Sequence, residues 1–303
     1  MPWIVPMSFF LIPTLFYGFL VMMEKFPPSE TEAAGVSFGE MLSVFASPVL
    51  LVLLVLHGMI GYVELGTDSW ITDIMNNVMP GKAILLFVYA SALMFILRFF
   101  AGPIVERINP VGLLLASSVL GAIGLYSLGS SAGAAAILVS YTVYAFGKTF
   151  LWPTILGVVG ERFPKGGALV MGAMGGIGML SAGYLGGPMI GKAQDYFASQ
   201  RLESIDKDIY AEFQAKDKEG KPVASLDATK IAALKDVKEA DRTDAQKDQL
   251  KAIEEASIEG GQGALKQTAM VPAMMAVGFL LLVFYFQSQG GYKQEKIGGH
   301  GGH

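Results

Sequence analysis

One apolar stretch carries a lysine among aromatic residues at helical spacing. The residues are Tyr141, Tyr144, Lys148 and Trp152, at intervals of 3, 4 and 4. This spacing predicts one shared face of an α-helix. An ammonium in an apolar segment needs a partner, and the candidates are Glu64, an anionic substrate or an acid outside this chain. The face could bind a polar solute, although aromatic packing and a lysine reaching toward an interface are the alternatives.

A second set of residues carries two carboxylates. His57, Gly61, Glu64 and Asp68 are spaced 4, 3 and 4 residues apart. Two carboxylates one turn apart repel each other when both are ionised, which suits a group that binds and releases protons or orders substrate hydroxyls. The alternatives are that Asp68 and Glu64 are solvated at the outer interface, and that His57 is an interhelical hydrogen-bond donor rather than a proton carrier.

Both sets lie in stretches long enough to span a membrane. A helix rises about 1.5 Å per residue, so about 20 apolar residues cross roughly 30 Å of hydrocarbon. Seven stretches qualify: Pro2 to Met23, Ser47 to Gly66, Ala83 to Val105, Pro110 to Gly129, Gly133 to Val159, Ala168 to Ile190 and Thr268 to Phe286. Hydrophobic residues are 52% of the chain and charged residues 16%. We therefore expect an all-α integral membrane protein rather than a large soluble helical one.

Two observations narrow the class further. The first stretch lacks a basic flank and a small-residue cleavage site, so we expect a retained helix rather than a signal peptide. The chain has no cysteine, which excludes disulfides, thiolate metal sites and cysteine nucleophiles. We expect no metal, no cofactor and no nucleic-acid partner, and the lipid bilayer as the surrounding medium.

Charge is concentrated between Gln194 and Gly263. This segment holds 11 of the 22 basic and 16 of the 26 acidic residues, a net charge of −5. Its apolar residues recur at helical spacing, at Ile231, Leu234, Val237, Leu250 and Ile253. The pattern predicts two or three amphipathic helices in a small hairpin outside the membrane, and a solvated segment without its own ligand is the simplest interpretation.

Basic residues in short loops predict the orientation, because such loops are usually cytoplasmic. They are Arg98, Arg107, Arg162, Lys165, Lys293 and Lys296. The N-terminus and the insertion would lie outside and the C-terminus inside, in a bacterial inner (plasma) membrane; the acidic loop 24–43 fits this poorly. The predicted segments are a membrane helix (1–25), a cytoplasmic linker (26–46), five membrane helices (47–193), an extracytoplasmic helical insertion (194–263), a last membrane helix (264–288) and a cytoplasmic tail (289–303).

Glycines recur every four residues in the sixth stretch. They are Gly172 and Gly176, followed by Gly183, Gly187 and Gly191. This spacing predicts a smooth groove against which another helix packs, either statically or as a sliding surface during gating.

The segment 102–110 resembles the acid-arginine loop of major facilitator superfamily (MFS) transporters. It reads Gly-Pro-Ile-Val-Glu-Arg-Ile-Asn-Pro, with Glu106 for the usual Asp and Asn109 for a glycine. Segments 64–70, 97–103, 150–153 and 160–195 are similar to family helices seven, eight, ten and eleven. By this resemblance Gly102, Glu106, Arg107, Glu161 and Arg162 belong to conformational motifs, in which Gly102 permits close helix approach and Glu106 and Arg107 pair in one conformation only.

The resemblance maps the seven stretches onto family helices six to twelve. It implies a six-helix half bundle, preceded by the last helix of the other half. MFS transporters place the substrate between two such halves, near the membrane midplane. The N-terminal half would therefore come from the same longer chain or from a separate subunit.

The predicted function is secondary active transport, with no enzymatic activity. The chain would be the C-terminal part of a transporter that moves a small polar solute, sugar-like or nucleoside-like, by alternating access and with proton coupling. A seven-helix receptor is an alternative, but a retinal-binding lysine belongs in the last helix and Lys148 lies in the fifth. A membrane-embedded enzyme is another, but the chain has neither a helical His-x-x-x-His pair nor a Gly-x-Ser-x-Gly elbow.

Overall fold

The protein is mostly helical. The computed structural model describes residues 4–297, except for the side chains of Pro6 and Glu106, and is 81% helix. Five helices are long and apolar enough to cross a membrane: Pro48–Val78, Pro110–Leu128, Ala134–Arg162, Pro164–Ile205 and Asp244–Ser288. Two shorter apolar helices cover Leu11–Met23 and Ala83–Arg98. The prediction of an all-α membrane protein is confirmed at this level.

The N-terminal segment packs least tightly. It contains α1 (Ile4–Ser8), α2 (Leu11–Met23), α3 (Glu30–Ala33), α4 (Phe38–Ser43) and a 3-10 turn (Val44–Ala46). No residue of α2 is buried, so this apolar helix gains little from contact with the rest of the chain. The hydroxyl oxygens of Ser29 and Ser37 accept backbone N–H groups in the first turns of α3 and α4. These caps stabilise the starts of the two short helices that follow α2.

The main bundle contains nine α-helices before the insertion. They are α5 (Pro48–Gly61), α6 (Thr67–Val78), α7 (Ala83–Arg98), α8 (Ala101–Ile108), α9 (Pro110–Leu128), α10 (Ala134–Thr149), α11 (Leu151–Arg162), α12 (Gly167–Leu180) and α13 (Gly187–Ile205). A π-helical turn, Tyr62–Gly66, joins α5 to α6, and a second, Ser181–Gly186, joins α12 to α13. A 3-10 turn, Pro164–Gly166, precedes α12.

Two predicted stretches differ in extent from the helices of the structure. The helix predicted to end at Gly66 continues to Val78, because the π turn widens the helix for one turn instead of ending it. Asp68 consequently lies inside a 31-residue helix and not at its outer end. The third predicted stretch is interrupted after Arg98, which is the last residue of α7, and two residues separate α7 from α8.

The insertion is not purely helical, which corrects the predicted helical hairpin. It contains the outer part of α13, then α14 (Lys207–Phe213), β1 (Gln214–Lys216), β2 (Pro222–Leu226), α15 (Ala228–Asp236), a 3-10 turn (Glu239–Asp241) and α16 (Asp244–Thr268), which leads into α17 (Met270–Ser288). The strands pair antiparallel, with Gln214 opposite Leu226. Asp217 accepts backbone N–H groups at the turn, and Gly220 there has φ +79°. The tight turn formed by Asp217 and Gly220 brings β1 and β2 side by side.

The insertion has a hydrophobic core of its own. Leu202, Phe213, Leu234, Leu250 and Ile253 are among its buried members. The predicted helical repeat of apolar residues thus does mark the buried face. Arg201 on α13 also forms ion pairs with Glu255 and Glu259 on α16, at 2.6 and 3.1 Å. These contacts join the two helices that connect the insertion to the membrane.

The two π turns pack against each other through glycine. A Cβ on Gly66 would lie 2.8 Å from the Cα of Gly186, and a Cβ on Gly61 would lie 2.1 Å from the carbonyl oxygen of Gly178. Backbone contact at this distance requires glycine. Most of the glycines predicted to line a packing groove do not contact another helix: a Cβ on Gly172, Gly176 or Gly183 would meet nothing within 4 Å. A helix whose pitch changes at a π turn presents different residues to its neighbour.

Candidate functional site

Four charged side chains meet where the first π turn and α6, the end of α7, and α10 lie beside one another. They are Glu64, Asp68, Arg98 and Lys148, and we call them the charge cluster. Lys148 Nζ lies 2.5 Å from Asp68 Oδ1 and 2.7 Å from Oδ2, so the ammonium donates to both carboxylate oxygens. The Lys148 side chain is 2% exposed and the Asp68 side chain 20%. The carboxylate partner of Lys148 is therefore Asp68, which was not among the three candidates that the sequence offered.

Glu64 has a different cation beside it. Arg98 Nη2 lies 3.8 Å from Glu64 Oε1, and the Glu64 side chain is 8% exposed while that of Arg98 is 46% exposed. Arg98, which the sequence placed beside a short basic loop, is the last residue of α7, and its side chain faces Glu64. The sequence signal for this contact was the position of Arg98 inside the apolar stretch Ala83 to Val105, where an arginine is costly unless it faces an acid or water.

Breaks in helical geometry position the cluster. Pro153 has no backbone N–H, so the carbonyl of Thr149, four residues earlier, loses its helical partner. That carbonyl receives a long hydrogen bond of 3.5 Å from Arg98 Nε. On the opposite side, the hydroxyl of Tyr144 donates to the carbonyl of Val63 in the first π turn, at 2.8 Å. Irregular backbone inside the membrane is tolerated where side chains satisfy it in this way.

The predicted aromatic face of α10 exists and is buried. Tyr141 and Tyr144 are fully buried, with ring centroids 6.1 Å apart. Lys148 Nζ lies 5.3 Å from the centroid of the Tyr144 ring, which adds a cation–π contribution to its ion pair. Trp152 instead contacts His57 edge-to-face, with centroids 4.5 Å apart. This contact joins the predicted set that contains His57 to the predicted set that contains Trp152.

Several buried polar atoms of the site have no hydrogen-bond partner among residues 4–297. They are both ring nitrogens of His57, Oε2 of Glu64 and the hydroxyl of Tyr141. His57 is therefore not a satisfied interhelical donor, contrary to the simpler sequence interpretation. Unpaired buried polar atoms are costly, and their concentration at one place is typical of a site that binds water, protons or a ligand.

The segment 102–110 that resembles the acid-arginine loop forms most of α8 and the start of α9. A Cβ on Gly102 would meet nothing within 4 Å, so the expected close helix approach at Gly102 is absent from the described structure. Arg107 is exposed, and the Glu106 side chain lies outside the described residues. Asn109 has φ +56° and caps α9 by accepting the N–H of Gly112 at 2.9 Å. With ψ at 163°, this backbone conformation is one that glycine adopts readily and that is strained for other residues.

Glu161 and Arg162 bind the segment that follows the last helix. Arg162 donates to the carbonyl of Lys293 at 2.7 Å and lies 3.0 Å from the Glu295 carboxylate. Glu161 accepts from the Tyr292 hydroxyl at 2.7 Å. Burial, and then the hydrogen bond to Glu161, raise the pKa of Tyr292 above its ordinary value. We call these contacts the tail clasp.

The linker contacts the same end of the bundle. A Cβ on Gly167, at the start of α12, would lie 2.7 Å from the side chain of Thr31 in α3, and Thr31 is buried. At the opposite end, Gln262 of α16 donates to the carbonyl of Ser131 between α9 and α10. The linker and the tail therefore share one end of the bundle, as alternating spans require.

Two large surface cavities of the described structure lie away from the charge cluster. One, of about 810 Å³, runs between α9 and α16–α17 and includes Ile123, Phe197 and Met270. The other, of about 690 Å³, lies beside α5 and α12 and includes Tyr62 and Tyr184. Both are lined mainly by apolar side chains, as expected of grooves filled by lipid or by another helix.

Metal binding finds no support within residues 4–297, where no group of three or more His, Cys, Asp or Glu side chains could hold an ion. Comparison with known protein families, curated proteins and solved structures found no match to this chain. The resemblance to MFS transporters therefore remains a prediction from the motifs quoted above, and the function must be argued from the charge cluster itself.

Proposed function

We propose that this chain is the C-terminal part of a secondary active transporter. It carries a small polar solute across a membrane by alternating access, and proton movement drives the transport. The proposal includes an N-terminal half, in the same longer chain or as a separate subunit, which completes the substrate cavity against this half bundle. We refer to this chain with that half as the complete transporter. In this proposal the protein performs no chemistry on the solute.

The charge cluster is the observation that carries the proposal. Each ionised group inside a membrane costs several kcal/mol, and such groups usually mark ion or substrate pathways. Here two acids and two bases lie together between apolar helices, and one acid, Glu64, keeps an unpaired carboxylate oxygen. A purely structural pair would be expected to use all of its hydrogen-bonding capacity. Glu64 is therefore our candidate for the coupled proton.

The interrupted helices support a moving structure. Both π turns lie in long spans, and they meet where glycine backbones are in contact. A glycine contact has no interlocking side chains, so the helices can shift with little steric resistance. Transporter sites are typically built beside such broken helices, near the membrane midplane. This arrangement suits a site that alternates between two sides.

Reconstituting the complete transporter into liposomes tests the proposal. An inward-directed pH gradient is imposed, and accumulation of radiolabelled monocarboxylates, glucose and uridine is measured. The proposal predicts that at least one of these solutes accumulates above its outside concentration and that a protonophore abolishes this. Absence of accumulation for every solute, or chemical conversion of one of them, would contradict it.

A further inference from the structure

The two bases of the charge cluster differ in how completely they are paired. Lys148 is buried and donates to both oxygens of Asp68, so its charge is neutralised within the protein. Arg98 is 46% exposed and stands 3.8 Å from its nearest acid, Glu64, a distance beyond hydrogen bonding. Its one hydrogen bond among the described residues is the long contact to the Thr149 carbonyl. A guanidinium has five N–H donors, and most of those of Arg98 are uncommitted.

The exposed side of Arg98 indicates where a ligand would approach. An arginine in lipid is unfavourable by several kcal/mol, so its exposed donors must face water or a binding partner. The Thr149 carbonyl, freed by Pro153, fixes one edge of the guanidinium. The other edge remains available for a planar acceptor, and a carboxylate matches this fork in a bidentate pair.

The charge balance of the cluster gives the ligand's charge. Glu64 and Asp68 offset Arg98 and Lys148 when all four are ionised. The charged groups that act on Glu64 are Lys148, Arg98 and Asp68. When Glu64 takes up a proton, Arg98 loses the acid facing it, and the cluster gains one positive charge. One monoanion restores neutrality, whereas a doubly charged phosphate ester would leave an excess negative charge in a medium that disfavours it.

We propose that Arg98 binds the carboxylate of a small monocarboxylic acid, and that this anion binds together with one proton on Glu64. The inference rests on the proposed function and names its substrate class. It replaces the sugar-like or nucleoside-like solute expected from the aromatic face. Because Tyr141 and Tyr144 are fully buried behind Lys148, that face is packed rather than open to a sugar ring.

The test compares acids with their neutral amides. Thermal stability of the complete transporter in detergent is measured with formate, lactate and benzoate, and with formamide, lactamide and benzamide. The acids should raise the melting temperature, more at pH 5.5 than at pH 7.5, and the amides should not. Arg98→Gln should weaken acid binding by at least about tenfold, because charge-assisted bidentate bonds are lost. Lys82→Gln, at an exposed lysine just before α7, is the control and should bind as the wild type does.

If Arg98→Gln does not fold, Arg98→Lys is measured instead. This substitution keeps the positive charge but removes the planar guanidinium that can bind a carboxylate through two hydrogen bonds. It should bind the acids more weakly than the wild type. The inference is overturned if no acid stabilises the protein, if the amides stabilise equally, or if the Arg98 variant that folds binds acids as tightly as the wild type. Accumulation of a neutral solute alone would reject the inference and keep the transport function. Acid binding through Arg98 without any accumulation would reject transport and keep the site.

Discussion

The ammonium of Lys148 donates to both carboxylate oxygens of Asp68 across 80 residues of sequence, from the middle of one span to the middle of another. Such a pair is held by geometry as well as charge, since desolvating two ions costs several kcal/mol and is offset only by close contact. The pair neutralises one base and one acid of the charge cluster. It thereby leaves Glu64 and Arg98 as the groups able to respond to a proton or a ligand.

Breaking the Lys148–Asp68 pair should destabilise the protein strongly. Lys148→Ala leaves Asp68 charged in the membrane, and we expect a loss of about 3–5 kcal/mol in unfolding free energy. Asp68→Asn should cost a similar amount. The double variant should cost clearly less than the sum, because neither charge is then left alone. Unfolding in detergent micelles measures this, with Lys165→Ala, at an exposed lysine, as the control; additive losses would contradict the pairing.

The contact between the π turns predicts a sharp difference among glycines. Gly66→Ala places a methyl group 2.8 Å from the Gly186 backbone, which must push the two spans apart. We expect destabilisation of about 1–3 kcal/mol. Gly172→Ala meets open space and should be neutral or stabilise by up to about 1 kcal/mol, since alanine favours the helix. Equal melting temperatures for the two variants would show that the spans do not pack as described.

The tail clasp should open at high pH. Burial raises the pKa of Tyr292 above the ordinary value of 10.0, so the clasped tyrosine stays neutral where a free one ionises. The clasp therefore keeps its full stability below about pH 10 and loses it as the pH rises further. Because the chain has no cysteine, a spin label on Gln294→Cys reports tail motion directly.

In that experiment the label should become more mobile above about pH 10. Tyr292→Phe removes the titrating group and should remove this pH dependence. Arg162→Ala should free the tail at every pH, because it removes the hydrogen bond to Lys293 and the ion pair with Glu295. A label that is equally mobile at neutral pH in the wild type and in Arg162→Ala would contradict the clasp.

The sequence predicted the shared face of α10 correctly, because periodicity alone decides which residues share a face. The face of Tyr141, Tyr144 and Lys148 is continuous because α10 is regular over these residues. The sequence could not show that Asp68 pairs with Lys148, because the π turn Tyr62–Gly66 changes the helical repeat before Asp68 and no local pattern marks it. The pairing of Arg98 with Glu64 depends on contact between distant helices, which spacing within one helix cannot give.

In the insertion, too, the sequence predicted the buried helix face but not the rest of the structure. Its apolar repeat marked Leu234, Leu250 and Ile253 as the buried side, and these residues do form its core. The strand pair was missed because β1 has only three residues, too few for an alternating pattern. The turn at Asp217 and Gly220 was the available signal, since this pair is typical of a tight turn.

Uphill transport by Glu64→Gln tests the central claim most directly. The substitution keeps the size and hydrogen bonding of the side chain but removes its titratable charge. In liposomes with an imposed pH gradient, the wild-type complete transporter should concentrate its solute. Glu64→Gln should exchange solute across the membrane without concentrating it. A Glu64→Gln protein that still accumulates solute against its gradient would show that the coupled proton lies elsewhere.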